Sequence, residues 1–135
     1  MAASQQTARE SSMEVDLQYL EDLNILKIGH KGLFRKSAGD GQFAFNIQEL
    51  SEQYDCKDLL VDLTELEIDR TRTGMYSLAD HFRIMGIELD YKVALVYCRD
   101  EEFYRVLELV LRNRYYNVRF FKDEKKAIEW LQKRR

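Results

Sequence analysis

The sequence predicts a single α/β domain built on a five-stranded, mostly parallel mixed sheet with an N-terminal antiparallel hairpin and about four helices. Short apolar runs typical of buried strands (DLLVDL, YKVALVYC and NVRFFK) alternate with segments in which apolar residues recur at helical spacing. This alternation indicates βαβ crossovers, and therefore parallel strand pairing. A chain of 135 residues is also of ordinary size for one domain.

The N-terminal part predicts a tail followed by a hairpin. Residues 1–12 are small, polar and without an apolar pattern, so we expect a disordered tail ahead of a domain over residues 13–135. Residues 14–20 alternate apolar and polar side chains, which is typical of a half-buried strand. Residues 21–24 predict a turn, and residues 25–30 (ILKIGH) predict the second strand of an antiparallel hairpin.

The rest of the domain predicts alternating helices and strands. Residues 33–42 are open to two interpretations, a loop or the start of a helix, and residues 43–54 carry one apolar stripe at helical spacing. Strands are predicted at residues 58–63, 91–98 and 117–122. A helix follows each strand: one from Gly74, one behind a predicted N-cap at Asp100, and one from Asp123 to about Lys133.

Composition excludes several classes of protein. No apolar run is long enough for a membrane span, and the polar N-terminus does not resemble a secretory signal, so we expect a cytoplasmic protein. Cys56 and Cys98 lie far apart and form no metal-binding motif, which predicts reduced thiols.

The charge is distributed unevenly along the chain. Residues 1–100 carry 11 basic and 18 acidic side chains, whereas residues 101–135 carry 10 basic and 6 acidic ones. The basic end is either a surface for phosphate or for peripheral contact with anionic lipid, or a solvated face. The overall acidity and the lack of a recognition motif argue against nucleic acid as a partner.

The segment 67–74 (EIDRTRTG) is the most informative part of the chain. It leads from a buried strand into a helix, at the edge where open α/β folds usually bind their ligands. The hydroxyls of Thr71 and Thr73 are expected at the N-terminus of that helix. One interpretation is a helix N-cap, a role that threonine fills well. The other is a regulated or phosphate-binding site, in which free helix amides, Arg70 and Arg72 stabilise a phosphate.

No set of residues in the sequence predicts catalysis or a bound cofactor. Nucleotide-binding, nucleophile-elbow and metalloprotease motifs do not occur, so we expect a protein that is not an enzyme. His30 and His81 have no catalytic partner in a recognisable motif, which predicts surface or hydrogen-bonded structural roles.

Acidic side chains recur along the end of the central strand and the loop that follows it. These are Asp62, Glu65, Glu67 and Asp69. They form either a solvated acidic rim or a divalent-cation site. The rim is favoured because no glycine-bearing calcium loop is present, and no metal is expected.

Three stretches of the chain resemble the SpoIIAA-like fold of the STAS superfamily, over about residues 13–134. They are a strand ending in an aspartate and polar residues (LLVDLTELEID), a strand, charged turn and helix (YKVALVYCRDEEFYRVLELVLRN), and a closing unit whose helix reads Ala-x-x-Trp-Leu (NVRFFKDEKKAIEWL). The superfamily includes anti-sigma-factor antagonists, STAS domains of sulfate transporters and a branch grouped with Sec14-like lipid-binding folds. The resemblance implies a non-enzymatic bacterial regulatory module.

The resemblance also implies a phosphorylation site. In the anti-sigma-factor antagonists, a partner kinase phosphorylates a serine or threonine just before the central helix, in a pattern close to Asp-Ser-Ser/Thr-Gly. Residues 69–74 of this chain read Asp-Arg-Thr-Arg-Thr-Gly, with arginines between the acid and the hydroxyls. The implied acceptor is Thr71 or Thr73, and Thr73 is favoured because Gly74 follows it.

The residues and the resemblance together give two hypotheses of different classes. The first is a regulatory module that contacts a protein partner, such as a kinase or an anti-sigma-like regulator, through the loop and helix after the central strand. The residues expected to make contact are Asp69, Arg70, Arg72, Tyr76, Asp80 and Arg83. The second is a small apolar ligand or lipid carrier, as the Sec14-like relatives imply, which requires a cavity between sheet and helices. Homo-oligomerisation through an exposed edge strand is also open.

Overall fold

The computed structural model describes residues 5–10, 13–34, 46–68 and 70–133. Its strands are β1 (Gln5–Glu10), β2 (Met13–Leu20), β3 (Ile25–Phe34), β4 (Asp58–Ile68), β5 (Lys92–Val96) and β6 (Asn117–Phe121). Its helices are α1 (Ile47–Tyr54), α2 (Arg72–Ile84), α3 (Glu101–Asn113) and α4 (Glu124–Gln132). Strands that are consecutive in the described chain are also neighbours in the sheet, in the order β1-β2-β3-β4-β5-β6.

The fold is α/β with a mixed sheet, as the alternation of strands and helices predicts. β2 and β3 pair antiparallel, which confirms the predicted hairpin, and β1 pairs antiparallel with β2. β3, β4, β5 and β6 pair parallel, and α1, α2 and α3 connect them in turn. The turn between β2 and β3 ends at Asn24, whose φ of 52° lies in the left-handed region that asparagine tolerates.

The sheet contains one strand that the sequence does not predict. β1 pairs with β2 along its whole length, from Gln5 opposite Gln18 to Glu10 opposite Met13. The prediction of a disordered tail over residues 1–12 is therefore wrong for Gln5–Glu10. Backbone hydrogen bonds to one neighbour hold an edge strand, and they do not require the apolar alternation that identifies a half-buried strand in a sequence.

β3 and β4 are longer than their apolar runs predict. Their parallel pairing continues to Phe34 opposite Ile68, whereas β5 ends at Val96 opposite Asp62. β3 and β4 therefore extend past the end of β5 at the C-terminal edge of the parallel strands, and β2 accompanies β3 as far as Gly32.

The predicted helix over residues 43–54 is confirmed in its described part, where α1 begins behind the N-cap Asn46. The choice between loop and helix for residues 35–42 lies outside the described residues. Residues 33 and 34 belong to β3.

A β-bulge in β4 changes which face its side chains occupy. Gly29 lies opposite Asp62, but Lys31 lies opposite Glu65, so β4 has one extra residue at this point. The carboxylate of Asp62 accepts hydrogen bonds from the backbone amide of Thr64 at 2.9 Å and from its hydroxyl at 2.7 Å. These bonds stabilise the bulge within the strand itself. Leu63 and Leu66 consequently belong to the same core, although simple alternation would place them on opposite faces.

The helices are divided unequally between the two faces of the sheet. α1, α2 and α3 contribute to the larger core on one face, whose helical members include Leu50, Phe82 and Leu107. α4 packs on the other face, where Ala127 and Leu131 belong to the smaller core. Right-handed crossovers that always advance in the same direction place their helices on the same face. α4 follows the last strand and makes no crossover, so it covers the opposite face.

Candidate functional site

The predicted site lies where the loop after β4 and the loop after β5 meet, at the C-terminal edge of the parallel strands. Residues 70–71 lead into α2, and residues 97–100 lead into α3. Both helices therefore begin at this edge. Asp69, which the sequence predicts as a contact residue, lies outside the described residues.

Thr71 caps α2, which settles one of the two interpretations of that residue. Its backbone is extended, with φ −74° and ψ 165°, and its hydroxyl accepts a hydrogen bond of 3.1 Å from the amide of Gly74. This is the geometry of a helix N-cap, which satisfies one of the amides that a helix leaves unpaired at its start. Thr73 is the second residue of α2, and its side chain is exposed. The two hydroxyls therefore have different environments.

Arg70 joins the two loops of the site. Its guanidinium forms an ion pair of 2.8 Å with the carboxylate of Asp100, directly before α3. Asp100 is the N-cap residue of α3, as the sequence predicts. Asp100 has a left-handed backbone, with φ 61°, and makes no side-chain capping bond. Its carboxylate points instead to Arg70, a partner 30 residues away that local sequence patterns do not reveal.

A second ion pair connects the same two helices farther along. The carboxylate of Asp80 in α2 accepts a bond of 2.8 Å from the guanidinium of Arg114, at the end of α3. In this pair the acidic residue lies in α2 and the basic residue lies at the end of α3. In the first pair the basic residue precedes α2 and the acidic residue precedes α3. Two ion pairs of opposite polarity thus hold α2 against α3.

A shallow surface groove lies beside the first ion pair, between the start of α2 and the start of α3. Its volume is about 360 Å³. Its lining combines apolar side chains with the charges at the helix ends: Arg70, Met75, Asp100, Glu102, Phe103 and Val106. We call it the α2–α3 groove.

The outer face of α2 carries the other residues that the sequence predicts as contacts. Arg72, Tyr76, Asp80 and Arg83 follow each other at spacings of four, four and three, which aligns them along one side of a helix. Arg72 and Arg83 are exposed, and the ring of Tyr76 is 46% exposed. Asp80 is half-buried because it is engaged with α3.

Exposed apolar side chains continue this surface on α3. Val106 and Leu109 are 46% and 58% exposed, and they lie one turn apart. The helical spacing of α3 predicts a buried stripe that includes Phe103, Val106 and Leu107, but Val106 is exposed beside the groove. Leu109 lies outside that stripe and is exposed as well. Together with Tyr76 they give the α2 and α3 side of the molecule an apolar component that a solvated face does not need.

The described acidic side chains at the end of β4 have different environments. Asp62 is occupied by the bulge, whereas Glu65 and Glu67 are exposed along β4. Within the residues that the structure describes, no group of three or more histidine, cysteine or acidic side chains is placed to hold a metal ion.

A second cavity, of about 190 Å³, lies on the sheet face that α4 covers only in part. Its charged and polar lining side chains come from alternate positions of β2 and β3 and from the two sides of the bulge in β4: Asp16, Gln18, Lys27, Lys31, Asp62 and Glu65. The strand alternation in the sequence predicts that the lining side chains of β2 and β3 share a face, but not that the bulge brings both Asp62 and Glu65 to it. Both cavities lie at the surface. The space between the sheet and α1 to α3 contains large buried side chains, among them Phe82, Tyr91 and Tyr104.

Both histidines are buried, so the surface role that the sequence allowed is wrong. His30 in β3 is 3% exposed, His81 in α2 is fully buried, and their ring centroids are 5.5 Å apart. Burial lowers the pKa of His30 from its ordinary value of 6.5 to about 4. Burial, and then the neighbouring His30, lower the pKa of His81 to about 3.

Several basic side chains of the C-terminal third form ion pairs within the protein. Arg112 pairs with Glu108, Arg114 with Asp80, and Lys122 with Glu101. These contacts agree with the interpretation of a solvated face with paired charges. Among the described residues, no helix combines the length and the hydropathy that a bilayer crossing requires.

Comparison with models of protein families gives no match to this chain, and neither does comparison with curated proteins.

Proposed function

We propose that this chain is a non-enzymatic regulatory module of STAS type, which binds a protein partner through the loop after β4 and the outer face of α2. The observation that supports this most is the exposed stripe of Arg72, Tyr76 and Arg83 beside the α2–α3 groove. Tyrosine and arginine are the residue types that most often dominate the binding energy of protein interfaces.

The two interhelical ion pairs support the proposal because they prepare this surface for binding. Arg70 with Asp100, and Asp80 with Arg114, fix α2 relative to α3 before any partner arrives. A surface that is already ordered loses less conformational entropy on binding. Partly exposed pairs of this kind contribute only about 0–1 kcal/mol each to folding, so their value is in positioning.

Thr73 is the better candidate for a regulatory phosphate. Thr71 already uses its hydroxyl as a cap, whereas Thr73 is exposed in the first turn of α2. A phosphate there would add about −1.5 to −2 charges beside the helix amides and Arg72. That charge would alter the contact surface directly, by attracting a basic partner or repelling an acidic one.

The experiment is partner capture by surface variants. Wild-type protein is immobilised, exposed to an extract of its native host, and the bound proteins are quantified by mass spectrometry. Tyr76→Ala with Arg83→Ala removes two members of the α2 stripe. Tyr115→Ala with Arg119→Ala is the matched control, because both residues are exposed and lie outside α2.

We expect a protein that binds the wild type and the control variant and is lost with the α2 variant. Equal recovery by all three forms would contradict the proposal. Intact mass of protein from the host tests the switch: an added phosphate should map to Thr73, and Thr73→Glu should change the affinity of the captured partner. A co-purifying lipid that leaves on denaturation would favour the carrier hypothesis instead.

A further inference from the structure

The edge of β6 is closed by side chains from α3. Among the described strands, β6 lies at the end of the sheet and pairs with β5 alone. The carbonyl of Phe121 accepts from the amide of Tyr97, which shows that the backbone groups of Phe121 point toward β5. Because strand residues alternate in direction, the backbone groups of Val118 and Phe120 point to the open side. Such groups are a template for pairing with another strand.

Glu108 and Arg112 bind these outward groups. The Nε of Arg112 donates to the carbonyl of Val118 at 3.2 Å. The amide of Phe120 donates to Oε2 of Glu108, also at 3.2 Å. The same Oε2 accepts a bond of 3.1 Å from Nη2 of Arg112, which fixes the two side chains relative to each other. One donor and one acceptor on the open side are therefore used by α3, as a neighbouring strand would use them.

The spacing on α3 makes this possible. Glu108 and Arg112 are four residues apart and so lie on one side of the helix, which packs along β6. The pair is more than a surface salt bridge, because each member also satisfies a backbone group of the strand. From the sequence alone, the pair is predicted only as part of the polar face of α3.

We propose that the Glu108–Arg112 pair prevents β6 from pairing with the β6 of a second copy of this chain. Two copies related by a two-fold axis would pair antiparallel, with Val118 of one chain bonded to Phe120 of the other. The axis would pass beside Arg119, whose exposed side chain would face its own copy. That like-charge contact also opposes pairing. The inference is independent of the proposed function, since it concerns another part of the surface.

The test is the oligomeric state of Glu108→Ala with Arg112→Ala. Sedimentation across low to high micromolar concentration should give the wild type a mass of 16.1 kDa and shift the double variant toward twice that mass. The matched control is Glu101→Ala with Arg105→Ala, which removes another i,i+4 pair of α3, 3.7 Å apart, and also the pair of Glu101 with Lys122. The control should stay at the mass of one chain.

A cross-link identifies the strand involved. In a Cys98→Ser background, Arg119→Cys places one thiol at the centre of the expected pairing, where facing residues approach closely enough for a disulfide. We expect intermolecular disulfide with the double alanine variant and none when Glu108 and Arg112 are intact. A folded double variant that stays monomeric, or that associates without this cross-link, would overturn the proposal. If the double variant does not fold, the single variants Glu108→Ala and Arg112→Ala are tested by the same two measurements, the mass in sedimentation and the cross-link.

Discussion

The imidazole rings of His30 and His81 meet edge to face in the core between β3 and α2, with their centroids 5.5 Å apart. The ring of Phe34 lies 5.4 Å from that of His81 and belongs to the same core. Two ionisable side chains thus occupy positions that sequence patterns normally give to apolar residues. Burial keeps both of them neutral in the folded protein.

This pair predicts that the protein loses stability on mild acidification. Both histidines have a folded pKa, about 4 and about 3, below the ordinary 6.5 of the unfolded chain. Above pH 6.5 neither state binds these protons. As the pH falls below that value the unfolded chain binds them first, so the free energy of unfolding decreases by up to ~1.4 kcal/mol per pH unit and histidine. The loss levels off below the folded pKa values.

Denaturant unfolding between about pH 7 and pH 5 measures this slope. His81→Leu should reduce the slope, because one of the two groups no longer takes up a proton on unfolding. Lys31→Ala, an exposed neighbour in β3, serves as the control and should leave the slope unchanged. An unchanged slope in His81→Leu would mean that His81 is not kept neutral by the fold.

The two threonines of the candidate site should differ in their effect on stability. Thr71→Ala removes the cap of α2 and should lower the free energy of unfolding by about 1 kcal/mol. Thr73→Ala changes an exposed side chain and should stay within about 0.5 kcal/mol of wild type. Urea unfolding checks both, and Thr71→Ser should retain most of the lost stability. Equal losses at the two positions would contradict the capping role of Thr71.

Lys92 connects β5 to the end of α4. It is 4% exposed, and its ammonium group donates to the carbonyls of Trp130 at 2.7 Å and Lys133 at 2.9 Å. Lys92→Met should lower the free energy of unfolding by about 2 kcal/mol, because charge-assisted bonds to the helix end are lost. The exposed Lys126 on α4 gives the control, Lys126→Met, with little effect expected. Amide exchange in α4 should increase only in Lys92→Met; greater stability would instead mean that burying the charge costs more than its bonds return.

Gly86 is required by both its backbone and its surroundings. Its φ is 90°, and an added Cβ would lie 3.2 Å from Oδ1 of Asn46, the side chain that caps α1. Gly86→Ala should therefore lower the free energy of unfolding by about 1–3 kcal/mol. In Gly29→Ala the nearest atom, the carbonyl oxygen of Asp16, would be 4.0 Å away, and we expect no loss of stability. Thermal unfolding of the two variants checks the contrast, and similar losses would refute the role of Gly86.

The helices and strands could be predicted where a regular spacing of apolar residues identifies them. The candidate site could not be predicted where it depends on contacts between residues that are distant in sequence. The alternation in β2 and the stripe of α3 can be counted along the chain, because their periods are local. The pairing of Arg70 with Asp100 depends on which loops meet at one sheet edge, which no local pattern contains. The burial of His81 was not predictable for the same reason, because a helix position is exposed or buried according to what packs against it.

The order of the strands in the sheet, which is also their order in the chain, determines how this protein can fold during synthesis. Each strand finds its partner in the strand just before it, so no pairing has to wait for a segment made much later. Chains begin to fold from the N-terminal side during synthesis. The sheet can therefore grow strand by strand as the ribosome delivers it. α4, which covers the second face, is made after the last described strand.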